Sequence, residues 1–215
     1  MKTATILPVW LDREDYYNKT IKFLNYYHQP KIIEALGILP EDIWLIDNAS
    51  NTNKVYQIAT MFPKVKFKCY NKHYARTAHL EYPFCWRCLY FARELFQEHD
   101  YTKIIHLNND VFIISEKLAN HIRDFKSGWW TPWCKKHSFP ECDLQVITAD
   151  CKDYWQVTAP PYLSYNGKHM EYEIKATADK SFEGDRYAEY GINTQCDLWD
   201  FACQVRLDME IKYNV

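Results

Sequence analysis

The chain has 215 residues, 47% of them hydrophobic and 17% aromatic, with 26 basic against 28 acidic residues and a net charge of −2. That is enough apolar material for a full core, and the length fits one domain better than two. The charge balance leaves no broad basic field, which argues against nucleic acid as the main partner.

The start, Met1 to Trp10, lacks the long apolar run of a signal peptide, and no window approaches the roughly 18 continuous apolar residues of a membrane span. The expectation is a soluble, cytoplasmic protein. Thr3 to Val9 reads as a short apolar strand interrupted by Pro8. Asp12 is placed to cap a helix with Tyr17, Ile21, Leu24 and His28 on one side, and Pro30 stops it. Ile43 to Ile46 is a second strand, ending abruptly in Asp47-Asn48-Ala49-Ser50-Asn51. A short helix through Val55, Ile58 and Ala59 ends before Pro63, and Val65 to Cys69 forms a third strand.

Between about Pro83 and Glu98, Phe84, Cys88, Phe91 and Leu95 recur at helical spacing with Cys85, Leu89, Ala92 and Phe96 beside them. This wide apolar face assigns the Cys85/Cys88 pair to core packing rather than to zinc, and no second pair at zinc-finger spacing follows. The eight cysteines read as reduced thiols. A fourth strand begins at Ile104. The alternation of strands and helices predicts an α/β fold with a mostly parallel central sheet flanked by helices.

The second half is less regular. Gly128 to Trp133 and Asp143 to Ile147 read as strands, and Ala149 to Thr158 as a helix. The chain closes with an expected helix over about Asp197 to Leu207 and a strand over Glu210 to Tyr213. No repeat or flexible linker divides it.

The most informative stretch is Ile104 to Ile114, an apolar run interrupted by Asn108-Asn109-Asp110. Unpaired amides and a carboxylate are costly inside a buried sheet, so the triplet belongs at an exposed strand end. Taken alone, it suits a plain turn as well as a binding site. Its oxygens are hard ligands suited to Mg²⁺ or Mn²⁺, ions that commonly bridge carboxylates to substrate phosphates. In parallel sheets, ligands sit beyond the carboxyl ends of strands, and three polar ends fall there: Pro8 to Asp12, Asp47 to Asn51 and Asn108 to Asp110. That company favours the metal.

Asp47 either accepts a hydrogen bond from a base or ribose edge or closes a local turn. Trp10 either stacks on a base or packs in the core. Arg76 and Arg87 are candidate forks for a diphosphate, with Arg76 preferred because Arg87 lies on the predicted helix.

This order resembles the glycosyltransferase A fold: a strand, a Pro8-Val9-x-x-Asp12 turn, a helix, then Trp44-Leu45-Ile46-Asp47-Asn48-Ala49-Ser50, then a helix feeding a strand with Asn108-Asn109-Asp110. The resemblance covers roughly the whole chain and implies a single domain, with a nucleotide-binding half over about 1–115 and an acceptor and catalytic half over about 116–215. It implies that Pro8, Val9, Trp10 and Asp47 hold the nucleoside of a nucleotide sugar, with UDP-sugar as the expected donor. Asp110 and Asn108 would then hold Mn²⁺ or Mg²⁺ on the diphosphate, with Arg76 and Asn109 beside it. Asp197-Leu198-Trp199-Asp200-Phe201-Ala202-Cys203-Gln204-Val205-Arg206 resembles the family's late acidic segment, implying that Asp197 or Asp200 is the general base or stabilises an oxocarbenium-like transition state. The departures are Asn108, where the family has Asp, and Leu198, where it often has a second acid.

Among family members, the chain looks most like the compact glycosyltransferase domains of large algal viruses, which act on capsid glycans; a viral member would work in the host cytosol. Trp129, Trp130, Trp133, Trp155, Tyr162 and Tyr165 would suit a glycan acceptor surface or simply fill the core. A binding protein on the same scaffold and a metal-dependent nucleotidyltransferase or phosphohydrolase remain as alternatives. A dinucleotide oxidoreductase is disfavoured, because there are only five glycines and no GxGxxG after the first strand.

Overall fold

The computed structural model describes residues 1–75, 83–158, 170–183, 195 and 197–214. β1 (Thr3–Val9), β2 (Ile43–Asp47), β3 (Lys66–Cys69) and β4 (Lys103–Leu107) pair in parallel in the order β3-β2-β1-β4. β8 (Leu144–Thr148) then adds to β4 in the antiparallel sense, followed by β6 (Trp129–Cys134) and the short β7 (Phe139–Pro140). β9 (Thr177–Glu183) pairs in parallel with β6. The sheet is therefore mostly parallel with an antiparallel graft, as expected for the α/β class.

β1, β2 and β4 are largely apolar and buried because both faces are covered, whereas the edge strand β3, Lys66-Phe67-Lys68-Cys69, alternates and is only partly buried. Alternate residues divide between two cores. Leu7, Val9, Leu45, Ile105 and Leu107 pack with Phe23 and Leu24 of α1 (Glu14–Tyr27), Ile32 of α2 (Pro30–Leu36), Ile58 of α3 (Thr52–Met61) and Leu118 of α5 (Glu116–Asp124). Ala4, Ile6, Ile46 and Ile104 pack on the other face with Cys88, Leu89 and Phe91 of α4 (Pro83–Glu98), Tyr154 of α6 (Lys152–Val157) and Met170 of α7 (Met170–Glu173). Cys88 is wholly buried in this layer, as the apolar face of α4 requires.

Pro30 stops α1 but also starts α2, where its fixed φ and missing N–H suit the first turn. Gly37, at φ +62°, ends α2 in the left-handed conformation. Asp12 does not cap α1. Its Oδ1 accepts a hydrogen bond from Asn51 N at 2.7 Å, and Leu11 N donates to Ser50 Oγ at 2.7 Å, which ties the β1 and β2 ends together.

The expected helix over Asp197 to Leu207 is instead a turn followed by β10 (Phe201–Ala202), antiparallel to β5 (Phe112–Ile113). Phe201, Ala202, Cys203 and Val205 are all buried, which a one-sided helix does not permit, and Gln204 sits at φ +56°. The expected strand near the end is only a bridge from Ser115 to Asn214. Part of the nearby backbone is turned inward instead: the Lys22 ammonium takes the carbonyls of Arg206, at 2.8 Å, and Met209.

Candidate active site

A cleft of about 1020 Å³ lies at the carboxyl ends of β1 and β4. β1 is followed in sequence by its neighbour on one side, β2, and faces β4 on the other, so the cleft sits where the chain order reverses. His106 pairs in register with Ile6, so Asn108 leaves the sheet level with Pro8. Pro8, Val9, Trp10, Asn108, Asn109 and Asp110 all line the cleft. Trp10 is half-buried and tilts against His73, with ring centroids 4.4 Å apart. His73 Nδ1 lies 3.1 Å from the Asn48 carbonyl, while the Asn48 side chain accepts from Tyr74 N at 2.7 Å and donates to Tyr74 O at 3.3 Å. The amide thus fastens the segment after β3 to the end of β2.

Each member of the triplet has a different environment. Asn109 is buried and its amide nitrogen faces Tyr16 O and Thr20 Oγ1, both at 3.5 Å, so it anchors the turn to α1. Tyr26 and Tyr27 of α1 secure the next residues, donating to Ile113 O at 2.6 Å and Val111 O at 3.3 Å. Asp110 faces the cleft with its Oδ2 3.2 Å from Lys19 Nζ. Asn108 donates its amide to the Asp143 carboxylate, which leaves Asn108 Oδ1 buried without a partner. The bond to Asp143 sets the amide's orientation, since a carboxylate only accepts.

Asp47 is buried beneath its own turn. Its Oδ2 accepts from Ser50 N at 2.9 Å, and the carboxyl does not line the cleft. Burial pushes its pKa up, and the bonds from Ser50 pull it back. The neighbouring Asn48 lines the cleft instead. Arg76 lies outside the described residues, as do Tyr162 and Tyr165, and Arg87 is not among the cleft residues. Asp197 is exposed, and neither it nor Asp200 lines the cleft. Asp200 Oδ1 accepts from Ser115 Oγ at 2.6 Å, and Ser115 Oγ accepts from Leu118 N at the start of α5. That acid braces a helix terminus.

Several lining residues were not singled out from the sequence. Arg13, Tyr16 and Lys19 recur every third position, a helical stripe that turns toward the cleft beside the apolar stripe of α1. Arg13 is held by Asp15 at 2.7 Å and lies over the Tyr16 ring at 4.4 Å. Gln204 and Arg206 join from the C-terminal segment. Asp143 reaches the cleft because β8 runs antiparallel to β4, which puts its first residue, Leu144, beside Leu107. His106 and Glu171 complete that wall, and neither carried a signal in the sequence. Burial pushes the His106 imidazole down to about 4, despite help from the Cys142 carbonyl, so it is neutral near pH 7.

No protein-family model matches the sequence, and no curated protein matches it. Solved structures do. A cytidylyltransferase from Leptospira borgpetersenii serovar Hardjo-bovis is 13% identical with a TM-score of 0.44, covering 84% of this chain and 76% of that one. A glycosyltransferase involved in glycosylating the major capsid of PBCV-1 is 13% identical with a TM-score of 0.47, covering 95% and 93%. TarS 1-349 of S. aureus, in complex with UDP-GlcNAc, is 17% identical with a TM-score of 0.38, covering 63% and 35%. These are likenesses of fold. Among the described residues, no helix is long and apolar enough to cross a membrane.

Proposed function

We propose that the chain is a metal-dependent glycosyltransferase that moves a hexosyl or deoxyhexosyl group from a nucleotide diphosphate sugar to a hydroxyl of a glycan or other acceptor. The UDP-sugar donor follows the sequence resemblance. The reading is carried by the Asn108-Asn109-Asp110 turn, where Asp110 and the unpartnered Asn108 Oδ1 share a cleft with Trp10, Arg13 and Lys19 at the switch point of the sheet. A carboxylate and an orphaned amide oxygen fit Mn²⁺ or Mg²⁺. The ion, when bound, supplies positive charge for the leaving diphosphate.

The chain's own residues account for the other parts. Trp10, beside His73, offers an aromatic face to a base, and the Pro8–Val9 strand end offers backbone to the nucleoside. Arg13, Lys19 and Arg206 bring positive charge to the diphosphate oxygens. Asp143, held against Asn108, takes the acceptor hydroxyl proton in this reading, the role that the resemblance implies for Asp197 or Asp200.

Calorimetry with uridine diphosphate, with and without Mn²⁺, tests the reading. Binding should be weak without the ion, and Asp110→Ala should remove both metal-dependent binding and turnover, by more than about 100-fold. Undiminished, metal-independent binding in that variant would sink the assignment. Metal-dependent binding with neither transfer nor hydrolysis would mark a binding protein on the same scaffold instead.

A further inference from the structure

Besides Asn108 Oδ1, the wall that β4, β8 and α7 build contains two further buried polar atoms with nothing to bond. Glu171 is 6% exposed and its Oε2 has no partner, and His106 is 1% exposed and its Nε2 has none. Both residues line the cleft. The wall is a connected unit. Gln145 Nε2 donates to Cys142 O at 2.7 Å and stands 3.5 Å from His106 Nδ1 and 3.8 Å from Met170 Sδ, so the start of α7 is joined to the strand pair. Buried polar groups are ordinarily satisfied within a fold, and two orphans on one cleft wall call for a ligand.

We infer that Glu171 and His106 form a subsite that reads adjacent hydroxyl groups of a neutral donor sugar. This rests on the glycosyltransferase reading above. A carboxyl oxygen accepts and needs a donor, whereas an imidazole nitrogen accepts or donates according to its tautomer. A hydroxyl is the group that serves both. An ionised phosphate offers only acceptors and leaves Glu171 without a donor, whereas a uronate keeps its ring hydroxyls but brings a second carboxylate beside a buried one. Apolar neighbours Phe84, Cys85 and Met170 line the same cleft and suit the C–H face of a pyranose. The subsite therefore selects uncharged hexoses over uronic acids.

Calorimetry in the presence of Mn²⁺ compares uridine diphosphate, UDP-glucose and UDP-glucuronate on the wild type, Glu171→Ala and Glu171→Gln. In the wild type, UDP-glucose should bind about tenfold more tightly than UDP and than UDP-glucuronate. Glu171→Ala should remove that tenfold increment while UDP stays within about twofold, which also shows the variant is folded. Glu171→Gln keeps an acceptor oxygen and should retain part of the increment. An unchanged UDP-glucose increment in Glu171→Ala, or equal weakening of all three ligands, overturns the subsite. Absence of UDP binding to the wild type overturns the glycosyltransferase reading and the subsite with it.

Discussion

On the α1 side of the cleft the cations have acids beside them, whereas on the side built by β4, β8 and α7 buried polar atoms stand alone. Arg13 pairs with Asp15 at 2.7 Å and Lys19 with Asp110 at 3.2 Å. Asn108 Oδ1, His106 Nε2 and Glu171 Oε2 have no such company. The difference teaches how a ligand would be received on each side. Where groups are already paired, binding is an exchange of partners, and its net gain is small. Where they are orphaned, binding removes a standing cost, and the gain is larger.

The orphaned side can be probed without any ligand, through pH. His106 titrates near 6.5 when unfolded and at about 4 when buried, so the unfolded state binds the extra proton between those values. Stability is therefore full above about 6.5 and lost as pH falls toward 4, by roughly 3 kcal/mol for a shift of that size. His28 and His121, also lowered mainly by burial, add to the slope, while Asp47, raised by burial, opposes it. His106→Gln should flatten the dependence relative to the wild type in denaturant melts across this window. Parallel curves for the two proteins would show that the imidazole is not desolvated on that wall.

An acid that lies on neither side sharpens the contrast. Asp200 is 8% exposed and accepts from Ser115 Oγ, with Lys117 at 4.0 Å. Asp200→Ala should cost about 2 kcal/mol, since a charged acceptor is lost at a buried helix start. That corresponds to a fall in melting temperature of roughly 4–8 °C for a chain of this size. Turnover measured well below the melting point should stay close to wild type. Loss of turnover in a folded Asp200→Ala protein would return this residue to the chemistry and break the assignment of catalysis to the two walls.

Much of this was legible before the structure. β1, β2 and α4 follow from runs such as Ile43-Trp44-Leu45-Ile46 and from the helical recurrence of Cys88, Phe91 and Leu95, because burial on both faces of a sheet, or on one face of a helix, leaves a periodic mark. The three polar strand ends were visible for the same reason, as breaks in that periodicity. Asp143 was hidden by direction: its strand runs against β4, and only the pairing of Leu144 with Leu107 brings it to the cleft. Phe201 to Val205 misled because four apolar residues broken only by Gln204 are too short a stretch to carry a period. Glu171 lies on a helix of four residues, too short to show one. Asp47 and Asn48 could not be ranked from sequence, since a turn acid and a cleft amide look alike until the Ser50 bond is seen.

The smallest effect is expected from the paired side, and it tests the exchange directly. Lys19 Nζ and Asp110 Oδ2 are each in partly buried side chains, 21% and 19% exposed, so the ammonium occupies part of the field a divalent ion would use. Asn108 contributes no charge, so within the triplet Asp110 is the one carboxylate that serves both cations. Metal binding must then release Lys19, and a diphosphate is the natural new partner for it. Lys19→Met should bind Mn²⁺ alone about tenfold more tightly, about 1.4 kcal/mol, and should bind uridine diphosphate about tenfold less tightly when Mn²⁺ is saturating. The coupling between metal and nucleotide, which is reciprocal, should shrink accordingly. If Mn²⁺ affinity is the same in both proteins, Lys19 and the ion do not compete for Asp110, and the α1 side is no exchange surface.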